Sequence, residues 1–209
     1  MGGEPIPDHL PVSPACERNR DPILGVLREV FVAPGEVLEI GSGTGQHAVY
    51  FARHLPWRDW HATDRPEYHD GIRAWMEYAG PTNLHGPWEL DVTQREWPLA
   101  RVADSFAANT VHIMHWPQVE ALFAGVSRIL VPGGRFALYG PFHVGGQHRS
   151  PSNERFDAQL RAQDPGMGIR DRNELEALAG HQGLVLEAVH PLPANNDLLI
   201  WRRDPEAGR

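Results

Sequence analysis

The 209-residue sequence contains no lysine; all 19 of its basic residues are arginine. Without lysine there is no Schiff-base chemistry and no attachment point for pyridoxal phosphate. The phosphate-binding P-loop is excluded for the same reason, because its signature requires a lysine. Cysteine is nearly absent: Cys16 stands alone. That rules out an internal disulfide and a cysteine-cluster metal site, and it suits a reducing, cytoplasmic setting. No apolar run approaches the roughly 20 residues of a membrane span. Residues 1–14, rich in glycine and proline, lack the apolar stretch of a secretory signal. The net charge of −8 argues against a broad basic surface for nucleic acid. The twelve histidines are scattered without an HExxH pattern, so no metal is expected.

The hydrophobic fraction of 41% is enough for a real core, and the length suits a single domain. The chain is organised around residues 37–47. Val37, Leu38 and Ile40 read as a short buried strand, Gly41, Gly43 and Gly45 follow at alternate positions, and a helical pattern begins after them. Glycine accepts positive φ and has no Cβ, so such a turn lets a ligand press on bare backbone. The helix start offers free N–H groups. Strand, glycine turn and helix in this order open a nucleotide-binding α/β domain.

The remaining pattern alternates. A flexible lead covers residues 1–15, and Asp21-Pro22 predicts a helix start, with aspartate as N-cap and proline at the first turn. Strands are predicted at 36–40, 59–63, 88–90, 106–113 and 135–139, with a Pro132-Gly133-Gly134 turn before the last. Helices are predicted at 44–54, 68–79, 119–130, 153–163 and 173–182. Segments 184–190 and 197–202 close the chain as a hairpin at the sheet edge. The expected fold is a Rossmann-like, doubly wound α/β domain. Its sheet is mostly parallel and seven-stranded, with an antiparallel C-terminal hairpin strand. Residues 1–35 form a lead and possible lid, 36–142 the core, and 143–209 a substrate-side region.

Ligands of such sheets bind outside the carboxyl ends of the strands. Asp64 ends the second strand about 20 residues after the glycines, where an acid can hold both ribose hydroxyls. Asp91-Val92 ends the third, Asn109 and His112 the fourth, Tyr139 and Phe142 the fifth. A dinucleotide fingerprint places glycine or alanine at its sixth position, where this chain has Gln46. Glu39, Asp64 and Asp91 would repel a pyrophosphate and suit a cationic ligand such as S-adenosylmethionine (SAM).

The motif from Glu39 through Gly41, Ser42, Gly43, Thr44 and Gly45, the acids Asp64 and Asp91, and the turn Leu130-Val131-Pro132-Gly133-Gly134 together resemble class I SAM-dependent methyltransferases. Further motifs resemble the methyltransferase-like protein 26 family nearly end to end. They are residues 13–24, Tyr139-Gly140-Pro141-Phe142, 150–157 (with Ser150 and Asn153), Gly168-Ile169-Arg170-Asp171 and Pro193-Ala194-Asn195-Asn196. The resemblance implies SAM as cofactor and S-adenosylhomocysteine (SAH) as its product. Gly41, Ser42, Gly43 and Gly45 would carry the methionine part, with Glu39 orienting the loop. Asp64 would hold the ribose and Asp91 the adenine amino group, with the Val92 backbone against the ring. Asn109 and His112 would lie beside the methyl group. His112, whose imidazole ordinarily titrates near neutrality, is the expected base if the acceptor loses a proton.

Blander roles compete at each position. Asp64 can cap its strand, Asp91 can cap the turn at Thr93, Glu39 can brace the loop, and His112, Tyr139 and Phe142 can be core. Arg18 and Asn19 can cap the helix they precede or close over the site. The substrate side is expected to include Arg18, Asn19, Tyr139, Phe142, Asn153, Arg170, Asn195 and Asn196. The expected function is methyl transfer to a small-molecule acceptor by a monomer or homodimer, with no nucleic acid or membrane partner. The alternatives are a non-catalytic SAM-binding protein of the same fold and a nicotinamide-dependent oxidoreductase.

Overall fold

The computed structural model describes Pro7 and residues 10–205; the rest of the predicted lead lies outside the described residues. The first helix, α1 (Pro14–Val30), starts earlier than Asp21-Pro22 suggests. Pro14 takes the first helical turn, and Pro22 sits inside the helix. Ile23, Leu24 and Leu27 are buried against the sheet, which outweighs the backbone bond an interior proline forfeits. Arg18 and Asn19 therefore lie within α1 rather than ahead of it.

Strand β1 (Gly35–Ile40), helix α2 (Gln46–His54), strand β2 (Arg58–Asp64) and helix α3 (His69–Ala79) follow. Strand β3 spans Leu84–Glu89, starting four residues ahead of the expected 88–90 and running through Gly86-Pro87. Proline is tolerated there because β3 is the edge strand. Strand β4 (Val102–Ala108) ends five residues before the predicted boundary. Asn109 turns to φ 57, a left-handed conformation that asparagine tolerates and a strand does not continue. His112 is thus in a loop. Helix α4 (Trp116–Ile129) leads into β5 (Leu130–Gly140), which continues through Pro132-Gly133-Gly134. The extra residues are absorbed as a bulge: the pairing with β4 shifts between Val102 and Asp104, and Gly133 takes φ 80.

Beyond β5 come β6 (Phe142–His143), α5 (Pro151–Gln163), β7 (Arg170–Asp171), α6 (Arg172–His181), β8 (Leu184–Leu192) and β9 (Asn196–Arg203). The short β6 and β7 pair in parallel as a separate two-stranded sheet that the sequence does not announce. The main sheet has seven strands in the order β3-β2-β1-β4-β5-β9-β8. Only β9 is antiparallel, inserted between β5 and β8. This is the expected mostly parallel, doubly wound sheet with its antiparallel C-terminal strand. It departs from the all-parallel 3-2-1-4-5-6 order of dinucleotide-binding domains.

Two cores flank the sheet. Ile23, Leu27, Phe51, Trp60, Ile72 and Phe106 join α1, α2 and α3 to one face. Leu38, Ile40, Phe123, Val126, Phe136 and Trp201 form the other with α4. At the amino end of the sheet Arg58 on β2 pairs with Asp104 on β4, both buried, and Asp104 also accepts from the Arg135 N–H at 2.7 Å. Strand order reverses between β1 and β4, which opens a crevice at their carboxyl ends. Among the described residues no helix is long and apolar enough to cross a membrane.

Candidate functional site

All three loop glycines take positive φ: 74° at Gly41, 56° at Gly43 and 87° at Gly45. The N–H groups of Gly41 and Ser42 both donate to the Thr63 carbonyl, at 3.0 and 2.9 Å. The Ser42 Oγ accepts from Thr63 N–H at 3.2 Å, so the loop is tied to β2 on both sides. A Cβ at Gly41 would meet Thr110 Cγ2 at 2.7 Å, and one at Gly45 would meet the Ile72 Cα at 2.9 Å. These two glycines are needed by the protein's own packing. At Gly43 a Cβ would meet nothing within 4 Å, so this backbone faces open space.

Asp64, at the end of β2, accepts from the Gly43 N–H at 2.7 Å through Oδ2 and from the Arg65 N–H at 2.8 Å through Oδ1. Burial raises its pKa, with the two N–H groups opposing. Glu39 is buried beneath the loop, where Trp60 Nε1 donates to it at 2.5 Å. Burial pushes its carboxyl up to about 8, so at neutral pH it is mostly the uncharged acid. Asp91 stands apart. Its Oδ1 accepts from the Thr93 N–H and hydroxyl at 2.9 and 2.7 Å, which lowers its pKa. Val92 is packed in the core.

Gln46 is the residue the sequence passes over. Its Oε1 accepts from Ser13 N–H at 2.5 Å and from the Thr44 hydroxyl at 3.1 Å, fastening the start of α1 to the glycine loop. Nearby, Trp75 Nε1 donates to the Pro11 carbonyl at 2.7 Å.

The β4–α4 loop forms the opposite wall. Asn109 N–H donates to the Tyr139 carbonyl at 2.9 Å. The Thr110 hydroxyl and His112 Nδ1 are buried with no hydrogen-bond partner among the described residues. The Phe156 ring meets His112 edge-on at 5.3 Å. Titration near neutrality is not what this site gives His112. Burial, and then the charge of Arg170, pushes it down to about 4, so the imidazole is neutral. Arg170, expected on the substrate side, donates to three backbone carbonyls: Val111 at 3.0 Å, Gly166 at 2.8 Å and Met114. It clamps the His112 loop to the segment before β7. Phe142, also expected there, is fully buried in the core.

The other expected substrate-side residues lie on α1 (Arg18 and Asn19), β5 (Tyr139), α5 (Asn153) and at the entry to β9 (Asn195 and Asn196). Asn196 Nδ2 donates to the Tyr139 hydroxyl at 2.9 Å, and Asn153 Nδ2 donates to the Asn195 carbonyl at 3.1 Å. Asn19, on α1, bonds His47 Nε2 at 2.7 Å, and His47 Nδ1 lies 3.8 Å from the Cys16 sulfur. The only sequence signal for this chain is the i, i+3 spacing of Cys16 and Asn19 on one helix face, hidden while α1 is taken to start at Asp21.

Residues 10–203 match the family model described as protein of unknown function (DUF938). The chain belongs to the DUF938 family. Solved structures place the fold of this DUF938 chain. An O-methyltransferase family protein from Burkholderia thailandensis superposes with a TM-score of 0.79 at 15% identity, over 92% of this chain and 58% of that one. Human N-acetylserotonin methyltransferase, solved with SAM, gives 0.77 at 16% identity, over 91% and 53%. A methyltransferase of calicheamicin biosynthesis, solved with SAH bound, gives 0.70 at 18% identity, over 88% and 53%. The chain therefore spans a little over half the length of these structures, and it shares the Rossmann-like fold of SAM-dependent methyltransferases.

Proposed function

We propose that this chain is a SAM-dependent methyltransferase acting on a small-molecule acceptor. The observation that carries the proposal is the pairing of an open glycine with an acid: Gly43 has free space where a side chain would stand, and Asp64 is bonded to its N–H at 2.7 Å. A flat, phosphate-free nucleoside fits such a cradle, with its ribose hydroxyls donating to the remaining acceptor capacity of Asp64. The antiparallel β9 beside β5 and the mismatch at Gln46 both disfavour a nicotinamide dinucleotide. The resemblance of the flanking motifs to the methyltransferase-like protein 26 family supports the same reading.

When bound, SAM supplies a methyl group on a sulfonium, an activated carbon with a good leaving group. The chain's own residues then hold the two partners in line. Gly41–Gly45 and Asp64 fix the nucleoside, and the β4–α4 loop and Tyr139 bound the acceptor. Such positioning is worth about 7–11 kcal/mol of barrier. His112, whose imidazole is neutral, is proposed on the acceptor's side of the methyl group. Asn109, at the end of β4, is proposed beside the methyl group.

The test is transfer of labelled methyl from SAM into a small-metabolite extract. The proposal expects a labelled product and stoichiometric SAH. SAM binding without transfer to any pool would make the chain a SAM-binding protein only.

A further inference from the structure

The amino end of the sheet, opposite the crevice, carries a cavity of about 280 Å³. Arg101, Arg128 and Arg203 line it, Ala100 and the apolar residues 129–132 supply the remaining wall, and no acidic residue takes part. The topology brings these three arginines together from distant parts of the chain. Arg101 directly precedes β4 and stands at the start of that strand. Arg128 is in the last turn of α4, which runs back to this end after β4. Arg203 is the last residue of β9, the antiparallel strand, whose end therefore lies among the starts of the others. Strand β4 is seven residues long, so at about 3.3 Å per residue the cavity is roughly 20 Å from the Asn109 end.

Arg203 is half-buried, and its Nη1 donates to the carbonyl of Leu130, the residue that ends α4. That uses one of the five N–H donors of a guanidinium. Arg128 lies over the Trp97 ring, 5.6 Å from its centroid, and its charge suits the negative end of the α4 dipole. The dipole accounts for one arginine here, not for three from three elements. The chain has 27 acidic residues against 19 basic ones, yet this cavity gathers like charges without an acid. Such charges repel one another, and a bound anion relieves the repulsion. Guanidinium forks match phosphate oxygens two at a time. One phosphate group carries about −1.5 to −2, short of the charge of three arginines, so two joined groups match better. The volume falls below the roughly 300–1,000 Å³ of pockets that hold drug-sized ligands, which leaves no room for a nucleoside.

We propose that Arg101, Arg128 and Arg203 form a binding site for a small, multiply charged phosphate anion of the size of inorganic diphosphate. The site is separate from the glycine cradle, and it stands or falls independently of the methyltransferase reading.

The test is calorimetric titration of the wild-type protein with inorganic diphosphate in magnesium-free buffer. Salt is kept at about 0.15 M, where charges beyond roughly 8 Å are screened. One-to-one saturable binding is expected, with orthophosphate and ADP each about tenfold or more weaker. Arg101→Met and Arg128→Met, both at exposed positions, are each expected to lower diphosphate affinity about tenfold. Arg155→Met removes the same charge from an exposed position on α5 and is expected to leave it unchanged. As a second measurement, diphosphate should raise the melting temperature of wild type and of Arg155→Met, and not that of the Arg101→Met, Arg128→Met double variant. No saturable binding overturns the site. So does an equal loss in Arg155→Met, which would mean attraction to the protein's charge at large. ADP binding as tightly as diphosphate overturns the assignment to a small free anion. Competition between diphosphate and SAH would put the anion in the cofactor crevice and overturn it as well.

Discussion

Asp64 Oδ2 accepts the Gly43 N–H at 2.7 Å, joining the end of β2 to the one loop glycine whose missing side chain leaves open space. Asp64→Ala removes both the loop anchor and the acceptor for a ribose. A hydrogen bond to a charged group is worth about 1.5–3 kcal/mol. SAH affinity measured by calorimetry should therefore fall by roughly 10- to 150-fold.

The loop glycines should separate two kinds of damage. Gly41→Ala brings a Cβ to 2.7 Å from Thr110 Cγ2 at φ 74, so it should lower the melting temperature. Gly43→Ala meets no neighbour and carries only the left-handed cost of about 1–2 kcal/mol. Its new methyl group enters the ligand's space, so it should lose SAH affinity out of proportion to stability. Calorimetric unfolding and SAH titration of both variants check this; equal behaviour would contradict it.

Glu39 should make the fold less stable at alkaline pH. Burial holds it at about 8, against an ordinary value of 4.5. Between those values the folded state binds more protons than the unfolded state, so stability falls as pH rises through that window. His47, His61 and His112 are pushed down to about 4 from 6.5 by burial. Below 6.5 the unfolded state takes up the extra protons, so these three reduce stability on acidification toward pH 4. The four groups together place the optimum near pH 6.5. Glu39→Gln keeps an acceptor for Trp60 Nε1 and removes the alkaline decline. The melting temperature of the variant relative to wild type should rise steadily from pH 5 to pH 8.5; a constant difference would contradict this.

Arg170→Met should loosen the His112 loop. Three carbonyls, those of Val111, Met114 and Gly166, lose their donor. The expected loss is about 2–3 kcal/mol, with faster amide exchange across residues 109–115 and 166–170. Unchanged exchange there would show that the clamp is dispensable.

What the sequence shows of this site follows from how local each signal is. The alternating glycines and the acid about 20 residues later are local facts, and the loop they specify is present with all three positive φ values. The parallel sheet is legible because strand and helix periods alternate. Asp21-Pro22 mimics a helix start, yet α1 begins at Pro14, which takes the first turn, and carries Pro22 inside it. The third strand is expected only at 88–90, but at the sheet edge it also takes in Gly86-Pro87. Asn109 carries a left-handed turn that nothing in the apolar run of residues 106–113 announces. The links from Ser13 to Gln46, from Asn19 to His47 and from Arg170 to the β4–α4 loop join positions far apart in the chain. Only packing decides such links, and no periodicity encodes them.

The central claim is that the Gly41–Gly45 loop and Asp64 cradle a SAM-type nucleoside. Calorimetric titration of the wild-type protein with SAH, and in parallel with NADH and NADPH, tests it most directly. The expected result is one-to-one SAH binding that Asp64→Ala abolishes or weakens at least about tenfold, and no binding of either dinucleotide. Saturable NADH or NADPH binding with none of SAH would contradict it.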